Sequence, residues 1–172
     1  MSKILRSLFV IAVVAFVVGA KAARANDTPV NGAFTLTFAL AATDACGAGN
    51  FAVEAHGVGQ TAQGPMFMTV KKCFYLPAKT YAGTFALCPS DLVCTPDSND
   101  AVSGTYVGAS DSNIAEFPGV LFTAFHGTLT INRDNSNYGQ AKGSIDFTGI
   151  TGRLSTWTMG TAYYYLRQSS QR

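Results

Sequence analysis

The sequence predicts an all-β chain that folds as a single eight-stranded antiparallel β-barrel, preceded by a cleaved signal peptide. Along most of the chain after residue 33, apolar residues recur at every second position, the period of a strand with one buried face. Glycines, prolines and short polar stretches separate these segments. No stretch of useful length shows the 3.6-residue period of a helix, so the strands must bury their apolar sides against one another. Closure into a barrel does this and removes exposed edges; a two-sheet β-sandwich is the alternative.

Eight segments have the composition and alternation of strands. They are residues 34–40, 50–58, 66–75, 80–87, 101–108, 120–131, 138–148 and 154–166. In the first segment, Phe34, Leu36 and Phe38 alternate with small or polar residues, as in a half-buried strand. Residues 109–118 are predicted to form a polar connection, and residues 132–137 a polar turn.

The first 25 residues have the pattern of a secretory signal peptide. Lys3 and Arg6 precede an apolar run over residues 8–18, and an Ala-x-Ala sequence places cleavage after Ala25. The apolar run is shorter than the roughly 20 residues that span a bilayer, which disfavours a retained anchor helix. We therefore expect a mature chain, residues 26–172, that is secreted or periplasmic.

The mature chain has the length of one domain and a weakly acidic charge balance. Cleavage leaves 147 residues, with eight basic residues against ten acidic ones, a net charge of −2. One domain usually has about 100–200 residues. Nucleic acid binding requires clustered basic residues, and the one adjacent pair, Lys71-Lys72, is typical of a solvated strand face. We expect no nucleic acid partner and no membrane span after cleavage.

The four cysteines all lie in the mature chain, where an oxidising compartment favours disulfide bonds. Four cysteines allow three pairings. The interval between Cys88 and Cys94 is a loop with little strand pattern, which favours a bond between them and leaves Cys46 to pair with Cys73. Zinc sites need CxxC-type spacing or neighbouring histidines, and neither is present. We expect no metal and no cofactor.

Three glycine-containing stretches carry a family resemblance. The first is residues 57–64 (GVGQTAQG), which precede a strand ending at Cys73. The second is residues 83–87 (GTFAL) leading to residues 103–108 (SGTYVG), and the third is residues 146–154 (DFTGITGRL). They resemble the glycine-rich hairpins and strand repeats of exported bacterial proteins with an allene oxide cyclase-like or dirigent-like barrel.

The resemblance covers most of residues 57–161 and implies an eight-stranded barrel with a cavity. In the enzymes of that superfamily, the cavity orients a reactive small molecule for cyclisation or coupling. No catalytic motif of those enzymes matches this chain residue by residue, and a shared fold alone does not assign a function.

Three titratable residues on predicted strands are candidates for acid–base chemistry. Glu54 and His56 lie two residues apart, so they can act together if their face lines the barrel interior. The opposite face, with Val53 and Ala55, is the more natural interior, which favours a solvent-exposed pair. His126 alternates with apolar residues and is a candidate for the interior, where a histidine is more often a hydrogen-bonded core residue than a base.

The aromatic residues provide the main evidence for a binding site. Twelve phenylalanines, seven tyrosines and one tryptophan exceed what turns require. Inward-facing rings would line an apolar pocket, with tyrosine hydroxyls as orienting groups. The candidate ligand-binding residues are Phe122, His126, Trp157, Tyr163 and Tyr165. The alternative is that the rings fill a narrow barrel, and rings left exposed on the last strand would favour a homo-oligomer.

The sequence therefore predicts a small-molecule-binding or structural barrel. The alternative is a cofactor-free isomerase or cyclase of the allene oxide cyclase or dirigent type, acting on an apolar ligand in the barrel cavity. A packed or dry interior without titratable groups favours the first function. A deep open cavity that holds a histidine, a carboxylate or a tyrosine hydroxyl favours the second. The chain has no G-x-S-x-G hydrolase motif and no phosphate-binding Gly-Lys-Ser or Gly-Lys-Thr sequence.

Overall fold

The computed structural model describes residues 30–42, 44–89, 94–117, 119–134, 143–154 and 159–168, so the predicted signal peptide lies outside the described residues. The described chain forms eight strands and one short 3-10 helix, Asp44–Cys46, after the first strand. The strands are β1 Gly32–Ala42, β2 Phe51–Thr61, β3 Gly64–Tyr75, β4 Thr80–Cys88, β5 Val102–Phe117, β6 Val120–Asp134, β7 Gly143–Leu154 and β8 Met159–Gln168.

Every strand pairs antiparallel with the next strand in the chain, and β8 pairs with β1 to close the barrel. In the closing ladder, Phe34 of β1 lies opposite Tyr164 of β8. The all-β class and the single eight-stranded antiparallel barrel are confirmed. The β-sandwich alternative is wrong, because a closed ladder leaves no second sheet to pack against the first.

One end of the barrel is filled by a dense apolar core. We call it the closed end; it lies where β1 begins, and the opposite end is the open end. Alternate residues of each strand point inward, as the period of two requires. The most buried side chains at and near the closed end are Phe34, Leu36, Met66, Met68, Leu87, Val102, Leu129, Ile145 and Leu166. Burial of large apolar side chains stabilises the fold by roughly 1.5–3 kcal/mol each.

Three predicted connections are wholly or partly strand in the structure. The predicted polar connection 109–118 is wrong, because residues up to Phe117 continue β5 and pair with β6. Register shifts near Ser110 and Asn113 interrupt the regular pairing there, and such irregularities break the two-residue alternation by which a strand is recognised. Strand β7 also continues past its predicted end at residue 148, so residues 149–152, which resemble a glycine turn in sequence, are strand. Strand β6 runs to Asp134, three residues into the predicted turn 132–137.

Glycines inside the strands make room for interior rings. Gly149 of β7 lies between Phe125 and Tyr164, its cross-strand neighbours on β6 and β8. The rings of these two residues lean together above it, with centroids 4.7 Å apart. A Cβ atom at Gly149 would overlap the Phe125 ring and the backbone oxygen of Tyr163. This is the close approach that an interior strand glycine commonly marks.

The substitution Gly149→Ala is therefore expected to destabilise the barrel by about 1–3 kcal/mol through overpacking. Gly152→Ala is a matched control on the same strand, because its Cβ would meet only the ring of Phe122, at 3.2 Å. We expect the control to stay within about 0.5 kcal/mol of the wild type. Urea unfolding of both variants measures the difference, and equal stabilities would contradict the close packing described at Gly149.

Both predicted disulfide bonds are confirmed. Cys46 bonds Cys73, which ties the 3-10 helix after β1 to β3, and Cys88 bonds Cys94 across the loop after β4. Cys88 and Cys94 are buried in a second small core with Ala86 and Ala101. Paired cysteines are typical of proteins that fold in an oxidising compartment.

Candidate functional site

The open end of the barrel contains a cavity of about 800 Å³. This is within the usual range of pockets that bind small molecules. Its walls come from all eight strands and the β3–β4 turn. They include the apolar residues Phe38, Leu40, Phe51, Val53, Ala55, Phe74, Leu76 and Ala162, and the polar residues Lys72, Lys79, Tyr81, Ser110, Asp111, Thr123, Thr151, Arg153 and Tyr164.

Lys72 is the one charged side chain among the described buried residues, and it lies deep in this cavity. On β3 the alternate residues Met66, Met68 and Val70 all point into the barrel, and Lys72 continues the same face. Its neighbour Lys71 points outward. The expectation that Lys71 and Lys72 form a solvated pair is therefore wrong for Lys72, whose exposed fraction is only 8%.

The amine of Lys72 is held by two tyrosine hydroxyls. Its Nζ donates hydrogen bonds to the hydroxyl of Tyr106, at 2.9 Å, and to that of Tyr164, at 3.2 Å. It also lies 3.9 Å from the ring centroid of Tyr81 and 4.3 Å from that of Tyr106. Ring faces attract a cation, so the amine has favourable partners in its protonated form, although no carboxylate is among these contacts.

Burial lowers the pKa of Lys72 from 10.5 to about 7. The cause is desolvation. When an ammonium ion leaves water, it loses more solvation free energy than it regains from the hydroxyls and ring faces around it. At pH 7 a substantial share of the amine is therefore in its neutral form. A neutral amine has a lone pair and is both a hydrogen-bond acceptor and a nucleophile.

The tyrosines around Lys72 are themselves held neutral. Burial raises the pKa of Tyr164, and burial, together with its coupling to Tyr164, raises that of Tyr106 well above the usual value. Burial also raises the pKa of Tyr81, partly offset by a hydrogen bond with Ser110 and by the charge of Arg153. All three phenols therefore keep their protons at physiological pH and remain available as hydrogen-bond donors.

Two basic residues, Lys79 and Arg153, also line the cavity, and Asp111 lies at its rim. Asp111 lies 4.0 Å from His126 on the outside of the barrel, and both side chains are more than half exposed. Their contact is therefore screened by solvent and contributes little to stability. The charge that the cavity walls present is positive on balance.

The three acid–base candidates lie on the outer surface. Glu54 and His56 share the outward face of β2, and Glu54 forms an exposed ion pair with Lys71, at 3.1 Å. His126 also points outward, because the interior face of β6 carries Phe125 and Leu129. None of these three side chains lines the cavity, so the acid–base hypothesis built on them has no support from their positions.

The aromatic candidates that the structure describes also lie on the outside of the barrel. Tyr163 and Tyr165 are 52% and 58% exposed and flank a shallow hollow over β1, β7 and β8. Phe122 shares the outward face of His126. Trp157 lies outside the described residues. The tyrosine between the two exposed ones, Tyr164, is the one that lines the cavity.

Sequence reasoning missed Lys72, Tyr106 and Tyr164. For Lys72 the signal was present: continuing the alternation of Met66, Met68 and Val70 by one step places it inside the barrel.

Within the part of the chain that the structure describes, no three histidine, cysteine or acidic side chains are placed to hold a metal ion. Among the same residues, no helix has the length and apolar character needed to cross a bilayer. Comparisons of the chain with protein-family models, with curated proteins and with solved structures gave no match.

Proposed function

We propose that the chain is a secreted or periplasmic binding protein that takes an apolar small molecule into the open end of its barrel. The ligand carries an oxygen atom, as a carbonyl or carboxylate, at its buried end. The single observation that carries this proposal is a cavity of about 800 Å³ with a buried amine in it.

The cavity walls support an apolar ligand with one polar end. Rings and aliphatic side chains such as Phe38, Leu40 and Phe74 form much of the wall, and burial of a ligand's apolar surface against them is favourable. Lys72 and Tyr164 then orient the polar end, because a ligand oxygen can accept hydrogen bonds from both. Pockets of this kind, apolar with a few convergent polar groups, are typical of small-molecule sites.

Export of the protein is supported by two independent features. The first 25 residues have the charge, apolar run and cleavage pattern of a signal peptide. The described cysteines all form disulfide bonds, which persist in oxidising compartments. Together these features support ligand capture outside the cytoplasm.

Binding of dansyl-labelled undecanoic acid, whose emission rises when it leaves water, tests this function. We expect saturable binding by the mature wild-type chain with one site per barrel. Leu40→Trp, which fills the cavity, is expected to weaken binding at least about tenfold, a loss of about 1.4 kcal/mol. Val107→Trp is the matched control, because Val107 is 52% exposed on the outer face.

We expect the control to bind like the wild type. Circular dichroism and thermal unfolding establish that each variant is folded. Probe binding that is unchanged in a folded Leu40→Trp variant, or lost equally in Val107→Trp, would contradict binding in the cavity.

A second candidate function is the cofactor-free isomerase or cyclase that the family resemblance implies. It predicts an open cavity that holds a tyrosine hydroxyl, and Tyr164 lines this cavity. Binding is the first proposal because no catalytic motif of those enzymes matches this chain residue by residue. The enzymatic function is favoured by the meeting of Lys72 and the hydroxyls of Tyr106 and Tyr164, whose oxygens lie 3.5 Å apart. Such donors in a water-poor site stabilise negative charge that develops on a reacting oxygen. For an active enzyme, Tyr164→Phe is expected to lower kcat by about 10²-fold or more, with a smaller change in KM. Equal kcat in the two proteins would remove this candidate.

A further inference from the structure

We propose that Lys72 captures an apolar aldehyde or ketone covalently, as an imine between its Nζ and the carbonyl carbon of the ligand. The proposal rests on the proposed function and deepens it, because it specifies the polar end of the ligand as a carbonyl group and adds a covalent bond to the binding.

The position of the amine supports this chemistry. Lys72 lines the cavity from its deep side, with the rings of Tyr81 and Tyr106 against it and the apolar wall around it. A ligand that enters from the open end therefore meets the amine at the end of its path. An amine in such an apolar pocket is a recognised form of activated lysine nucleophile.

The groups around Lys72 also favour an imine. The amine makes its hydrogen bonds to neutral hydroxyls, and none of its described contacts is with a carboxylate that would hold it as an ammonium ion. The lowered pKa of about 7 agrees with this environment. Imines hydrolyse in water, and a largely apolar pocket slows that reversal by excluding solvent.

The reaction is balanced without an oxidant or reductant. The lone pair of Nζ forms a bond to the carbonyl carbon, and the π electrons of the C=O bond move to oxygen, which takes up a proton. The nitrogen loses one proton, giving a neutral carbinolamine. The C–O bond then breaks as the hydroxyl takes a second proton and leaves as water, while the C=N bond forms and the remaining N–H proton is released. Tyr164, 3.2 Å from Nζ, is the nearest cavity-lining group that can give and take these protons.

Reductive trapping tests the proposal. The mature, disulfide-bonded chain is incubated with cinnamaldehyde and sodium cyanoborohydride at pH 7, which converts any imine into a stable secondary amine. Peptide mass mapping then locates the adduct. An ordinary lysine, with a pKa of about 10.4, is neutral in roughly one molecule in 2500 at pH 7. We therefore expect trapping at Lys72 to be at least about tenfold faster than at Lys71, which is exposed.

Two controls separate the covalent step from binding. Lys72→Arg keeps a long cationic side chain but is expected to lose the fast adduct, whereas Lys71→Arg is expected to keep it. Dansyl-labelled undecanoic acid, bound in the same cavity, is expected to protect Lys72 of the wild-type chain from reductive trapping. This second control uses the wild-type chain alone and so does not depend on the folding of a variant.

The outcomes are distinguishable. If the dansyl probe binds while Lys72 reacts no faster than Lys71, the covalent inference is overturned and the binding function stands. If the probe does not bind and Lys72 does not react, both fall. Fast trapping at Lys72 that the probe blocks supports both.

Discussion

The substitution Lys72→Met is expected to raise the free energy of unfolding at pH 6 by about 1–4 kcal/mol, the range found when buried ion pairs are replaced by well-packed apolar side chains of similar volume. At pH 6 the amine of Lys72 is mostly protonated, because its pKa in the folded chain is about 7. The folded protein therefore holds a poorly solvated ammonium ion. Methionine has a similar length and removes that charge. The hydroxyls of Tyr106 and Tyr164, which lie 3.5 Å apart in the wild type, can bond to each other when the amine is gone.

The sign of the pH dependence follows from the direction of the shift. Folding lowers the pKa of Lys72 from 10.5 to about 7, so between these values the unfolded chain binds the proton more tightly than the folded chain. Stability then rises with pH from about 7 upward, with a slope of at most about 1.4 kcal/mol per unit. Tyr81, Tyr106 and Tyr164, which face the amine and have raised pKa values, oppose this rise only above about pH 10.

Urea unfolding of the wild type and of Lys72→Met at pH 6, 7.5 and 9 measures both effects. The difference between the two proteins is expected to be largest at pH 6 and to shrink by pH 9. Lys71→Met is the matched control, because Lys71 is 65% exposed, and it should leave the slope unchanged. A variant that is less stable than the wild type at every pH, with an unchanged slope, would contradict the lowered pKa.

The second large effect is expected at Phe147. Phe147→Ala should destabilise the barrel by about 3–5 kcal/mol, as removal of a fully buried ring usually does. Phe147 is 2% exposed, and its ring centroid lies 4.6 Å from that of Tyr106 and 5.8 Å from that of Tyr164. It therefore supports the two tyrosines that hold the Lys72 amine.

The same variant has an effect on the cavity that a purely structural role would not predict. Loss of the ring leaves space beside Tyr106, and water that enters it would solvate the ammonium form of Lys72 and raise the pKa of its amine. Imine trapping at pH 7 should therefore slow relative to the wild type. Tyr165→Ala, which removes a ring that is 58% exposed, is the control and should change stability by no more than about 0.5 kcal/mol. Equal destabilisation by the two substitutions would contradict the packing around Tyr106.

The closed barrel could be predicted from the sequence because β1 to β3 alternate cleanly. In β1, Phe34, Leu36 and Phe38 face inward while the threonines between them face solvent. The same alternation gave the correct outward face for Glu54 and His56. The disulfide bonds followed from the loop between Cys88 and Cys94.

The faces of β6 and β8 could not be predicted in this way, because both strands carry apolar residues on both faces. In β8, Tyr163, Tyr164 and Tyr165 are consecutive, so period alone does not decide which ring is inside. The barrel closure decides it, since Tyr164 lies opposite Phe34 on β1 and both point inward. In β6 the alternation likewise fits either face, which is why His126 was a candidate for the interior.

The candidate site was missed for a related reason. A lysine is rarely buried without a charged partner. The prediction of a solvated Lys71-Lys72 pair therefore followed the residue type and not the inward position of Lys72 on β3. The hydroxyls that hold the amine come from β5 and β8, and 34 and 92 residues separate them from Lys72 in the chain. Only closure of the barrel brings the three residues together, so local sequence patterns do not reveal their contact.

The proposed chemistry depends on the claim that the amine of Lys72 lies desolvated inside a cavity at the open end of the barrel. An NMR titration of the lysine side chains tests this claim. With lysine labelled at the carbon next to Nζ, the folded wild-type chain is expected to show one resonance that titrates near pH 7 and is missing from Lys72→Met. If every lysine of the folded protein titrates near the ordinary value of about 10.4, the claim is contradicted.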